Sequence, residues 1–148
     1  MKIVIGCDQG ALELKEHVKE VLSEFKDITV EDVGTYNTDS VDYPDIAEKV
    51  CSKITSGQAD RGIALCGTGI GISIACNKIK GIRAALCHNV FTARMSRQHN
   101  NANVLSMGGR DISFGPASEI VRVWVTEKFL GGRHERRVNK ITALENGQ

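Results

Sequence analysis

Long apolar runs, paired cysteines and a surplus of charge are all missing from this chain, and each absence removes a class of function. No segment approaches the roughly 18 consecutive apolar residues that a membrane-spanning helix needs. The opening MKIVIGCDQG holds only a short apolar run before Gly6 and Asp8, too little for a secretory leader. The five cysteines, Cys7, Cys51, Cys66, Cys76 and Cys87, are odd in number and show no CxxC or Cys/His spacing. That pattern argues against structural zinc or a redox dithiol and for reduced thiols in a cytoplasmic protein. With 19 basic and 18 acidic residues the formal net charge is +1, so neither nucleic acid nor an anionic membrane is the expected partner. The 148 residues are too few for a (β/α)₈ barrel, which takes about 250, or for a dinucleotide fold with a separate substrate domain. An apolar content of 41% excludes wholesale disorder. No repeat, low-complexity tract or linker divides the chain, so residues 1–148 read as one domain.

Proline occurs only twice, whereas glycine is in excess at 15 residues, about 10% against a usual ~7%. In a proline-poor globular chain such glycines serve tight turns and close backbone approaches. Their places follow from the periodicity. Lys2–Gly6 reads as a buried strand. Leu14, Val18, Val21, Leu22 and Phe25 form one helical stripe within 11–25. Ile28–Val33 is a second strand, and 34–43 a polar loop long enough to reach over a site. Pro44 suits the first turn of a helix carrying Ile46, Ala47, Val50 and Ile54. Residues 61–66 form a third strand, with a short helix over Ser73–Ile79. Residues 82–87 are a fourth strand, 89–98 a helix and Asn103–Met107 a fifth strand. A last amphipathic helix carries Ile120, Val121, Trp124, Val125 and Phe129. The alternation predicts an α/β fold with a five-stranded parallel sheet covered by helices on both faces. Residues 131–148 would form a C-terminal arm, able to pack on its own domain or on a neighbouring subunit.

Ligands of such sheets bind beyond the carboxyl ends of the strands. CGTGIG at 66–71 is the strongest local signal there. Its alternate glycines let successive N–H groups converge on an oxyanion. It lacks the GxGxxG spacing of a dinucleotide loop and the GK[ST] of a P-loop. Cys66 directly precedes this nest, where converging amide dipoles would favour its thiolate as a base or nucleophile, although a strand-end cysteine can equally be core filler. Asp8 follows the first strand and can cap a helix or touch a ligand. Arg97–Asn101 gathers hydrogen-bonding groups in one turn, and His99 there can titrate near neutrality. His17 reads as a surface residue and His88 as a helix cap. Arg133 and Arg137 share one helical face, with Arg136 displaced around it, a suitable clamp for a phosphate dianion or simply a solvated face.

Taken together, GCDQG at 6–10, DYPD at 42–45, CGTGIGISIACNK at 66–78, GIRAAL at 81–86, SRQHNNANVLSMGGR at 96–110 and GGRHERRV at 131–138 resemble the sugar-phosphate isomerases of the ribose-5-phosphate isomerase B type. That family also includes the galactose-6-phosphate isomerase subunits. The resemblance runs over about residues 2–145. It implies a Rossmann-like three-layer αβα sandwich with a C-terminal helical arm. It also implies a homodimer, sometimes paired into a tetramer, with active sites between subunits and neither cofactor nor metal. The implied reaction interconverts ribose 5-phosphate and ribulose 5-phosphate through a cis-enediolate. By the same resemblance Cys66 is the base moving the proton between C1 and C2, and Thr68 assists at the substrate oxygens. Gly67, Gly69, Ile70 and Gly71 offer N–H groups to the enediolate. Asp8 and His99 assist ring opening, Tyr43 and Asn100 line the sugar, and Arg110, Arg133 and Arg137 hold the phosphate. Ile72-Ser73 stands where some relatives carry a glutamate base, which favours the cysteine. Gln9 replaces the family's usual phosphate-binding histidine and brings no positive charge, so substrate choice is expected to widen toward other phosphorylated or free sugars. The alternatives are an isomerase of allose, allose 6-phosphate or galactose 6-phosphate, and a non-catalytic phosphate-binding module on a flavodoxin-like scaffold. The His99–Arg110 segment and the 133–137 arm are expected to reach a site from different chains.

Overall fold

The computed structural model describes residues 1–148. Five strands form one parallel sheet: β1 (Lys2–Cys7), β2 (Thr29–Asp32), β3 (Arg61–Cys66), β4 (Ala84–Leu86) and β5 (Val104–Gly108). Their order across the sheet is β2-β1-β3-β5-β4. Six helices cover it: α1 (Leu12–Leu22), α2 (Tyr43–Thr55), α3 (Ile70–Asn77), α4 (Val90–Gln98), α5 (Phe114–Thr126) and α6 (Arg133–Glu145). The architecture is the three-layer α/β sandwich expected from the alternation, with the last helix at the C-terminus.

Side-chain alternation along the strands builds two cores. Ile3, Ile5 and Cys7 of β1 join Ile63, Leu65, Leu105 and Met107 against α1 and α5, where Trp124 is fully buried. Val4, Ala64, Cys66 and Val104 face the other way, against Ile46, Val50 and Cys51 of α2 and Ile72 and Cys76 of α3. Sheets buried on both faces carry this kind of near-continuous apolar strand. Chain direction reverses its spread between β1 and β3, so the carboxyl ends of those strands flank the topological switch point where open α/β sheets place ligands.

Element boundaries depart from the sequence pattern where polar side chains intervene. β4 is confined to 84–86 because the Arg83 and Ala84 N–H groups donate to the side chains of Asn103 and Asn77, both at 2.8 Å. α3 begins at Ile70 rather than Ser73, since Gly69, at φ 79°, turns the chain left-handed directly into the helix. α5 begins at Phe114, a turn and a half ahead of its apolar stripe.

Lys15 is completely buried, although a lysine in a helix ordinarily faces solvent. It lies on the apolar arc with Leu14, Val18 and Leu22, and that position is the signal that could have found it. Its Nζ donates to Asp32 Oδ1 at 2.9 Å and to the Thr35 carbonyl, and sits 4.8 Å from the centre of the Tyr36 ring. Asp32 also accepts from Lys19 and from the Gly34 N–H, each at 2.9 Å. Burial pushes the Asp32 carboxyl up, but the bonds from Lys15, Lys19 and Gly34 outweigh it and hold the group below its ordinary value. This network anchors the start of the 34–43 loop beside β1, where the Cys7 N–H donates to the Gly34 carbonyl at 2.7 Å. Replacing Lys15 by methionine leaves the half-buried Asp32 carboxylate short of one partner, and the expected loss of stability is about 2 kcal/mol, read from the urea midpoint. The native contribution is complete above the carboxyl's ordinary 3.8 and fades as pH falls from there through the lowered folded value. An unchanged midpoint would contradict the role given to the pair.

Candidate active site

One group of the expected residues assembles at the carboxyl edge of β1, β3 and β5. The Asp8 N–H donates to the Leu65 carbonyl at 3.2 Å, which ties the end of β1 to that of β3. Asp8 is buried, and its Oδ1 caps the following turn by accepting from the Gly10 N–H at 2.9 Å. The capping reading of this residue is therefore realised at the rim of the nest. Behind Asp8, the Cys66 Sγ accepts the Gly69 N–H at 3.2 Å, and the Thr68 hydroxyl accepts the Ile70 N–H at 3.2 Å. The Gly67 and Thr68 N–H groups have no acceptor within the protein. The nest thus divides its amides. Gly69 and Ile70, expected among the donors to an enediolate, instead serve the sulfur and the hydroxyl, while Gly67, Thr68 and Gly71 keep N–H groups that no protein acceptor takes.

Two more residues close around this loop. Arg110 lies over Gly67, where a β-carbon would sit 3.3 Å from its guanidinium; its N–H also donates to the Gly67 carbonyl at 2.9 Å. The Tyr43 ring lies against Gly71 so closely that a β-carbon there would come within 2.5 Å of it. Only glycine permits that approach. Gln9 turns its Oε1 to the Val41 N–H at 2.9 Å, fastening the polar loop over the same edge. Its side-chain oxygen is engaged, and its amide nitrogen is the group left to meet a ligand.

The second group lies at the opposite edge. α4 runs antiparallel to the strands, so its C-terminal residues His99 and Asn100 emerge at the amino edge, just before β5. The His99 ring stacks on His134 of α6, with centroids 4.1 Å apart and planes within 8°. Arg133 and Arg137 flank His134 on the exposed side of α6, and the Leu130 N–H ties this arm to the Gln98 carbonyl at 3.1 Å. Burial, then His99, Arg133 and Arg137, lowers the pKa of His134. β3 alone spans about 17 Å from edge to edge, so Cys66 and His99 of one chain cannot touch one sugar. The expected split is corrected accordingly: His99 belongs with the 133–137 arm, and Arg110 belongs with the nest. The crossover geometry is the reason, because helix-to-strand turns in a parallel sheet all fall at the amino edge.

The remaining histidines and thiols take other places. His17 is tied to Ser118 Oγ at 2.6 Å and stacks on Phe114, so it is an interhelical contact rather than a free surface residue. Asn89, not His88, caps α4; His88 pairs with Asp111 at 2.8 Å. Burial pushes the Cys7 thiol to about 11 and raises that of Cys87. Cys76 is raised through its hydrogen bond with Cys51 and by burial. These thiols stay protonated at neutral pH, as core residues. No cluster of three His, Cys, Asp or Glu side chains is placed to hold a metal ion, and no helix is long and apolar enough to cross a membrane.

Comparison with known proteins extends this picture. Residues 3–141 match the family model described as Ribose/Galactose Isomerase. The chain is 44% identical over 144 residues to ribose-5-phosphate isomerase B of Escherichia coli strain K12, covering 97% of this chain and 96% of that one. Its fold superposes on the ribose-5-phosphate isomerase B structure of Clostridium thermocellum with a TM-score of 0.96, at 49% identity and 99% coverage of both chains. A ribose-5-phosphate isomerase B from Mycoplasma genitalium, solved with bound ribulose-5-phosphate, aligns with a TM-score of 0.92 at 40% identity, over 99% of this chain and 97% of that one.

Proposed function

The chain belongs to the ribose/galactose isomerase family, and from that premise we propose that it interconverts ribose 5-phosphate and ribulose 5-phosphate, with Cys66 as the base. The carrying observation is the Cys66 sulfur, held by the Gly69 N–H at 3.2 Å beside amide donors that have no protein acceptor. Proton abstraction next to a carbonyl builds negative charge on two adjacent oxygens, and preorganised amides stabilise that charge best where water is excluded. A thiolate can take the carbon-bound proton and return it to the neighbouring carbon, leaving the overall oxidation level of the sugar unchanged.

The site works between two copies of the chain. One copy contributes Asp8, Tyr43, Cys66, Thr68, the nest and Arg110; the other contributes His99, Asn100, Arg133 and Arg137. Support comes from the separation of the two groups to opposite edges of the sheet. Further support is the apolar surface left between them: Ile70, Ile74, Ile141 and Leu144 are exposed at 52%, 56%, 45% and 74%. Buried against a second copy, these residues would supply the driving force for a dimer. Asp8 and His99 open the furanose ring, Cys66 and Thr68 handle protons, and the arginines use the remote phosphate to hold C2 over the sulfur.

Gln9 favours a wider substrate range. Its oxygen is committed to Val41, and a neutral amide is the most it can offer a phosphate. Turnover by the purified chain tests the reading: kcat/KM is measured on ribose 5-phosphate, free ribose, allose and psicose. Turnover of ribose 5-phosphate is expected, with free sugars used measurably. A chain inactive on ribose 5-phosphate contradicts the assignment, and an overwhelming phosphate preference contradicts the role given to Gln9.

A further inference from the structure

We propose that Arg83 and Arg97 are positioning residues for the isomerisation, holding the 98–102 turn so that His99 meets the sugar ring in one fixed orientation. This rests on the reading above that His99 serves ring opening. Neither arginine touches the nest, and the reaction gives neither a direct role.

Their hydrogen bonds converge on one turn. Arg83 donates from Nε to the Asn100 carbonyl at 3.0 Å, and from Nη2 to the Asn101 carbonyl at 2.9 Å. Arg97 donates from Nη1 to Asn101 Oδ1 at 3.0 Å and to the Ala102 carbonyl at 2.6 Å. Asn101 between them has φ 47°, the left-handed turn that asparagine adopts readily after a helix, and the two arginines bond both its side chain and its carbonyl in that conformation. On the far side His134 stacks on the His99 ring. The turn is thus gripped by guanidinium groups behind and an aromatic face in front, while Asn100 remains exposed.

Electrostatics argues that this grip has a purpose beyond packing. Arg97 is only 5% exposed, and no carboxylate lies within ion-pair distance of it. Its guanidinium stands 5.9 Å from the centre of the Trp124 ring. Burial, with the like charges of Arg61 and Arg83, pushes its pKa down to about 10. An apolar side chain would fill the same space without the cost of desolvating a charge. What it could not do is direct several donors at the carbonyls of one three-residue turn. Small errors in the placement of a proton-transfer group are expensive, and a displacement of about 1 Å can cost a hundredfold in rate.

Ring opening can be separated from proton transfer. Ribulose 5-phosphate cannot close a furanose because its 5-oxygen is esterified, so solvent deuterium enters its C1 through the enediolate alone. Two variants are compared with the wild type. Arg83→Met removes the donors and keeps much of the stem, and Asn101→Gly removes the Arg97 acceptor while suiting the positive φ. Steady-state conversion of ribose 5-phosphate should fall at least about tenfold in each, while deuterium wash-in at C1 of ribulose 5-phosphate stays within about threefold of wild type. Should Arg83→Met fail to fold, Asn101→Gly decides alone. Equal losses in both reactions, or no loss in either, would overturn the positioning role. Failure of the wild-type chain to convert ribose 5-phosphate overturns the substrate reading itself, before any variant is compared, and the positioning role falls with it.

Discussion

Replacing Cys66 by serine is expected to lower kcat on ribose 5-phosphate about a thousandfold, with little change in the affinity for ribulose 5-phosphate. Serine is close in size and can accept the same Gly69 N–H that now reaches the sulfur at 3.2 Å, so the loop and its open amides should persist. What disappears is the acidity. A serine hydroxyl offers no accessible anion to take a carbon-bound proton near neutral pH, whereas thiol chemistry does. The neighbouring thiols cannot substitute, because Cys51 and Cys76 lie fully buried in the layer beneath. The loss should therefore appear in the chemical step and not in binding, with C1 deuterium wash-in falling by the same factor as turnover. A variant that turns over at near-native rate would remove Cys66 from the mechanism and leave the nest as a binding element only.

Truncating Arg137 to alanine is expected to divide substrates by their phosphate. For ribose 5-phosphate kcat/KM should fall about a hundredfold, corresponding to the roughly 3 kcal/mol of a strong charge-assisted contact. For free ribose or allose it should stay within about threefold. Arg133 and Arg137 lie one turn apart on the exposed side of α6, and the buried His134 beside them fixes that helix against α4. The clamp is therefore rigid at its base and free at its tips. Because Gln9 offers no charge of its own, the arginines are expected to carry more of the phosphate recognition here than they would beside a histidine. Equal losses on phosphorylated and free sugars would mean that Arg137 supports the arm and not the anion.

Much of this was legible in the residues. The alternation of strand and helical stripes set the element order, and CGTGIG, Asp8, Tyr43 and Arg110 do gather at one edge as the loop positions imply. Less visible was the edge to which each residue goes. His99 ends a helix that runs back against the strands, so it had to lie opposite the nest; the hydrogen-bonding turn drew attention to itself and hid that consequence. Lys15 and Arg83 are hard to read for another reason, whereas Arg97 belongs to the hydrogen-bonding turn already visible in the sequence and only its burial is hidden. Charged residues inside helical stripes or at strand ends read as solvated, and only the packed structure shows that their partners are carbonyls and a carboxylate distant in the chain. The division of labour among the nest amides was equally out of reach, because it depends on the rotamer of Cys66 and on the left-handed turn at Gly69.

The central claim is that the site is shared, with Cys66 from one copy working beside His99 from another. Co-expression of Cys66→Ser and His99→Asn chains carrying different tags, followed by purification of the mixed dimer, tests it directly. Each variant alone should be nearly inactive. In the mixed dimer one of the two sites joins an intact Cys66 to an intact His99, so kcat should return to about half the wild-type value per dimer. A mixed dimer as inactive as its parents would contradict the shared site and the mechanism built on it.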